Sequence, residues 1–181
     1  MALTTIPAAG AKLRGETLSD LITEVRDLYA RVSADQALAT SSTVLANVTD
    51  LVVSVEANAT YTGFLIPAWV GASGVAEDIK FGATFPTGAT CDLTAAGPST
   101  NLGAATAVAT DVEFVGRLSA TSGTTVISYG ASTNTVTGII AITLVTSATA
   151  GSFQVQAAQN TSGVNAVTVK AGSKLILKRV A

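Results

Sequence analysis

The chain has 181 residues, one cysteine, no histidine and 12% charged side chains, against a usual share of about 25%, which leaves room for one domain with a core plus an appendage, or two small domains. Its 48% hydrophobic content excludes a disordered chain, and a formal net charge of −2 excludes the dense positive footprint of a general nucleic-acid binder. Cys91 alone can form no intrachain disulfide and is expected as a small buried hydrophobe.

Met1 to Gly15 reads as an extended arm: Pro7 and the Ala-Ala-Gly after it discourage a helix, while Leu3 and Ile6 give the arm something to bury. It is either a frayed terminus or an anchor lying on a neighbouring protein. It lacks the basic start and long apolar run of a secretory signal, so none is expected. Glu16 to Val32 is the one predicted helix, with Thr17 as N-cap and Asp20 three residues on. Leu18, Leu21, Ile22, Val25, Leu28, Tyr29 and Val32 form one apolar stripe, and Asp20, Glu24, Arg26, Asp27 and Arg31 take the other side. Such a short helix is marginal alone. Its stripe is expected to pack on the sheet of its own subunit or to zip with copies of itself.

From Ser33 onward the signals are strands: Ser42 to Leu45, Leu51 to Glu56, Thr60 to Val70, Ile79 to Phe85, Thr90 to Ala95, Val112 to Ala120, Thr124 to Tyr129 and Val136 to Thr146. Turn residues separate them, among them Asn47 to Asp50 and Gly130 to Asn134. Pro67 removes a ladder donor and belongs at an edge or a bulge. Ser152 to Val180 reads as a three-strand meander, with Phe153, Val155, Ala157, then Val167 and Val169, then Leu175 and Leu177 on the apolar side. Many short strands at turn-marked intervals predict an all-β sandwich or barrel. Gly138 to Val145 is far too short to span a bilayer, so no membrane association is expected. Residues 118 to 169 carry no charged side chain, which suits packing against copies of the same chain.

Catalytic chemistry finds little purchase. Without histidine the Ser-His-Asp and Cys-His arrangements and His-based zinc sites are impossible. The carboxylate pairs Glu77-Asp78, Asp111 with Glu113, and Asp50 with Glu56 read as solvated strand-end groups, and neither a metal nor a cofactor is expected. Tyr61, Phe64 and Trp69 offer either a sugar-binding platform or core packing, the latter favoured. Lys170, Lys174, Lys178 and Arg179 read as charges guarding an edge strand, or else as a site for an acidic partner.

Three stretches carry a resemblance: IPAAGAKLRGETLSDLITEV (Ile6 to Val25), LVVSVEANATY (Leu51 to Tyr61) and GSFQVQAAQNTSGVNAVTVKAGSKLILKRV (Gly151 to Val180). Through them the chain resembles virion structural proteins of tailed phages infecting actinobacteria, variously head decoration, head fibre or minor tail proteins. The resemblance implies a jelly-roll domain like that of the trimeric C1q/tumour-necrosis-factor sandwiches, a homo-oligomer of three copies, and a virion location after synthesis in the host cytoplasm. It carries over no individual functional residue. Together these readings predict an anchoring arm and helix over residues 1–33, a jelly-roll sandwich over 34–181, and no enzymatic activity. The partners expected are further copies of the chain and a major capsid or tail protein. Docking would fall to Leu3, Ile6 and Pro7 in the arm and Leu18, Leu21, Ile22, Val25, Leu28 and Val32 on the helix. The alternative is a receptor- or carbohydrate-binding module at a tail tip, taking a host-surface glycan.

Overall fold

The computed structural model describes residues 27–71, 78–100 and 112–180. These residues form strands and connections, with no helix among them. In chain order the strands are β1 (Leu28–Arg31), β2 (Gln36–Ala37), β3 (Ala46–Val55), β4 (Thr60–Ile66), β5 (Ala68–Gly71), β6 (Ile79–Thr84), β7 (Thr90–Pro98), β8 (Val112–Ala120), β9 (Val126–Tyr129), β10 (Val136–Thr137), β11 (Ile139–Val145), β12 (Gly151–Gln159), β13 (Val167–Val169) and β14 (Lys174–Arg179). A six-stranded sheet runs β1-β14-β4-β11-β7-β8, a four-stranded sheet β3-β12-β6-β9, and a small sheet β10-β5-β13-β2. All pairings are antiparallel. Setting aside β7 and β8 and the small sheet, the remaining strands in chain order lie first-eighth-third-sixth in one sheet and second-seventh-fourth-fifth in the other. That is the connectivity of a jelly-roll sandwich, as expected.

Period-two alternation explains the strands. On β4, β11 and β14, Tyr61, Leu65, Ile140, Ile142, Leu144, Leu175 and Leu177 point between the sheets and meet Phe81, Phe153 and Val155 from the facing sheet in one core. The predicted meander does not form. β12, β13 and β14 follow one another in the chain yet lie in three different sheets, because each finds its partners far away: β3 and β6 for β12, β2 and β5 for β13, β1 and β4 for β14.

The end of the predicted helix is strand. Residues 28–31 form β1 against β14, with Leu28 facing Leu177 and Arg31 facing Lys174. Leu28 and Val32 fit a period of two as well as they fit a helical stripe, and Ala30 between them fits only the period of two. Ala30 and Val32 are buried in the sandwich and Leu28 packs half-buried against it. Ladder bonds to an already formed strand outweigh a weak local helix preference. The sandwich therefore includes Leu28, short of the boundary at residue 33 that the sequence suggested. Glu16 to Arg26 of that helix, and the arm, lie outside the described residues.

Two local corrections have the same root. Ser42 to Leu45 is not strand, and Asn47 to Asp50 is not a turn but part of β3. Asp50 adopts φ +71°, and the β3–β12 register shifts between Gln154 and Gln156. Turn-loving residues here serve a bulge rather than a reversal. The Ser33 amide (3.0 Å) and hydroxyl (2.6 Å) donate to the Asp50 carboxylate and hold it.

Pro67 sits where the sequence placed it, at an interruption of the ladder. It separates β4 in the large sheet from β5 in the small one, and its carbonyl accepts the Gly138 amide at 3.2 Å, where β10 gives way to β11. Both segments of the chain switch sheets at that point. Trp69 fills the corner so made, with no exposed surface. Its ring stacks on Tyr129 (centroids 5.2 Å) and meets Phe81 edge-on (5.7 Å), and its indole N–H donates to the Gly130 carbonyl at 3.0 Å. Trp69→Ala should lower stability by about 3–5 kcal/mol, cavity and orphaned carbonyl together. Trp69→Phe should lose less, as read from the midpoint of urea unfolding.

Candidate interaction surface

The sandwich has two unlike ends. At one, Asp27 leads into β1, Leu28 pairs with Leu177, and the Val180 amide donates to the Thr60 carbonyl at 2.8 Å. Residues 1–26 attach there, beside the close of β14. The short connections 56–59, 85–89, 121–125 and 146–150 close this end too, with Asn58 N–H bonded to Ser147 (2.7 Å). The longer connections lie at the other, the loop end: Gly71 N–H to Ser132 (2.7 Å), Gly130 N–H to Pro98 (3.0 Å), Asn160 N–H to Asp78 (2.6 Å) and Ser41 N–H to Gly163 (2.7 Å). Segments 72–77 and 101–111 leave from this end, after Gly71 and Thr100.

The two outer faces also differ. The four-stranded sheet presents Gln154, Gln156, Lys80 and Ser128 to water, with Gln154 and Gln156 hydrogen-bonded to the bulged β3. The outer face of the six-stranded sheet is apolar across its middle. Register places Tyr29, Ile176, Phe64 and Ala141 side by side on β1, β14, β4 and β11. One row nearer the loop end, Ile139, Ala96 and Phe114 are neighbours on β11, β7 and β8, and Ile66 on β4 lies beside Lys174 of β14. Phe114 is 78% exposed, Tyr29 57% and Phe64 47%. Below them Lys178, Thr62, Thr143, Asp92 and Ser119 make a polar row. A contiguous apolar patch of this kind marks an interaction surface.

Most of these residues escaped the sequence reading, although a signal was there. A strand with one wet face alternates, whereas Ile139-Ile140, Leu144-Val145 and Leu175-Ile176-Leu177 are unbroken apolar runs, the pattern of strands covered on both faces. The charge-free span 118–169 marks no single face, because it supplies strands to all three sheets.

The other candidates resolve as follows. Trp69 and Tyr61 are buried and Phe64 faces outward on the opposite side of β4, so the three make no sugar platform. Of the docking residues, Leu28 and Val32 belong to the packing of the sandwich, and Leu3, Ile6, Pro7, Leu18, Leu21, Ile22 and Val25 lie outside the described residues. The basic residues guard no edge, since β14 lies between β1 and β4. Lys170 instead pairs with Asp35, which also accepts the Ala171 amide at 2.8 Å, and Arg179 pairs with Glu56 at 2.7 Å. Those contacts hold the Asp35 carboxyl below its ordinary value, the Lys170 hydrogen bond foremost. Among the described residues no three Asp, Glu or Cys side chains group as metal ligands. No helix among them is long and apolar enough to cross a membrane. A void of about 20 Å³ between the sheets, lined by Leu65, Phe81, Leu93, Ile142, Phe153 and Val155 among others, is apolar and far below the ~300 Å³ of a ligand pocket. Comparison of the chain with protein-family models and with curated proteins finds no match.

Two groups yield tests of this description. Burial, with the neighbouring Asp92 carboxylate, pushes the Cys91 thiol up to about 12. The folded chain should therefore resist a thiol reagent at pH 8 and react fully once unfolded. Burial also raises the Asp78 carboxyl above 3.8, opposed by the Ala131 amide it accepts at 3.2 Å. With the folded value raised, the group favours folding fully below 3.8 and loses that contribution as pH rises through its folded value. Asp78→Asn keeps the acceptor and drops the charge. It should be more stable than the parent at pH 7 by on the order of a few tenths of a kcal/mol, water still reaching the carboxylate, and the gap should close in thermal melts below pH 3.8.

Proposed function

We propose that the chain is a non-enzymatic structural protein of a tailed-phage particle, a homo-oligomeric head decoration or short head fibre. The N-terminal segment docks on the particle, and the sandwich stands outward. The observation that carries this reading is the polarity of the sandwich: residues 1–26 attach at the end closed by short connections, and the longer connections lie at the other. A protein tethered at the first end presents the second to its surroundings. The jelly-roll connectivity agrees with the fold that the virion resemblance implies. Leu3, Ile6 and Pro7, with Leu18, Leu21, Ile22 and Val25, are the docking residues. Leu28 and Val32 leave that set because the sandwich itself employs them.

Deleting residues 1–15 should abolish incorporation into particles while circular dichroism and the urea midpoint show the sandwich intact; undiminished incorporation would sink the docking role. Quantitative mass spectrometry of separated heads and tails fixes the location. Many copies in heads are expected. A few copies confined to tails would replace this reading with a tail-tip receptor- or carbohydrate-binding module, which would have to use the loop end, since Trp69 and Tyr61 are buried.

A further inference from the structure

The outer face of the six-stranded sheet is built to lie against itself. The sheet's midline falls between β4 and β11. A two-fold axis along the strands, set over that midline, lays β4 of one copy on β11 of the other and β14 on β7. Phe64 then lies over Ala141, which shares its row, so the largest side chain at the centre meets the smallest. In the adjoining row, Ile66 on β4 comes over Ile139 on β11. In the polar row, Lys178 on β14 comes over Asp92 on β7. That makes two opposite-charge contacts per pair, at the rim of an apolar centre.

Among the described side chains of this face, Arg31, Lys174 and Lys178 sit toward β1 and β14 together with Asp27, and Asp92, which accepts the Ser119 hydroxyl at 2.9 Å, lies on β7. Six strands at about 4.8 Å, with side-chain margins, make a face roughly 30 Å by 25 Å, close to the ~800 Å² per partner of a standard stable interface. Twisted sheets stack face to face with strands nearly aligned, about 10 Å apart, which such an axis allows. It also places Asp27 of both copies, where residues 1–26 attach, at the same end, as a tethered protein needs.

We propose that two copies of this chain pair through this face, with Phe64 seated on Ala141 and Lys178 opposite Asp92. The inference rests on the self-association in the function proposed above and names its surface and symmetry: pairs rather than the three copies that the resemblance implies.

Light scattering on the full-length chain at micromolar concentration should give twice the mass of one chain. Phe64→Glu should reduce it to one, with circular dichroism and unfolding midpoint unchanged. Lys178→Asp should weaken the pair by about tenfold, two contacts being lost, and adding Asp92→Lys should restore it. If Phe64→Glu keeps its full mass, this face is not the interface and self-association stands. A threefold mass would overturn the two-fold axis, and failure of the charge swap to rescue would overturn the β14-on-β7 placement. A parent chain that is a monomer throughout would overturn both the pairing and the oligomeric reading, leaving the phage location to the particle experiment.

Discussion

The fold hangs on a corner. β4 and β10 each leave their sheet next to the Pro67–Gly138 contact, and the space between them must be filled by something large and apolar with one polar atom correctly placed. Trp69 meets both demands. Its rings cover Phe81 and Tyr129, and its single donor reaches the Gly130 carbonyl. Around it the same economy recurs. Ser173 bridges the carbonyls of Ala68 and Lys170, and Gln159, fully buried, uses its amide on Asn165 and Gly163. Among the described residues no buried side-chain nitrogen or oxygen lacks a partner, so the few polar groups in this apolar interior define geometry at little desolvation cost.

That interior contrasts with the outside of the six-stranded sheet. A sandwich needs one buried face per sheet, and the four-stranded sheet obeys, with glutamines and serine turned to water. The six-stranded sheet spends apolar side chains on both faces. Sheet stability alone does not explain Phe114, Phe64 and Tyr29 at the surface, because half-exposed aromatics contribute only part of their area. Their common face, shared register and charged margins give them one collective meaning, a surface that wants a cover of matching shape.

How much of this was legible beforehand follows from the range of the interactions involved. β8 was read at the residues where it lies, and Pro67 at the point where a ladder must stop, because strand alternation and a missing amide are local properties. β1 was misread because Leu28 and Val32 satisfy two periods at once, and only the presence of β14 decides between them. The bulge at Asp50 carries the residues of a turn, and its true role depends on Ser33 and on the β12 partner. The three closing strands were located within a residue or two, except for the late start of β13, but their sheets were not, since pairing partners lie far along the chain. The apolar face was present as doubled hydrophobic runs. It went unseen because each strand was judged for its inner face alone.

β14 has a consequence for how the chain comes to be folded at all. In the large sheet β1 is bonded to β14, and β14 separates it from β4. The strand at the start of the sandwich thus waits for the strand at its close, and no shorter nascent chain can complete that sheet. Until Lys174 to Arg179 clears the ribosome, the edges of β1 and β4 stay open, and loop closure spans nearly the whole domain. Assembly of this sheet should therefore be slow, and a chain truncated ahead of β14 would offer two unpaired edges to its neighbours.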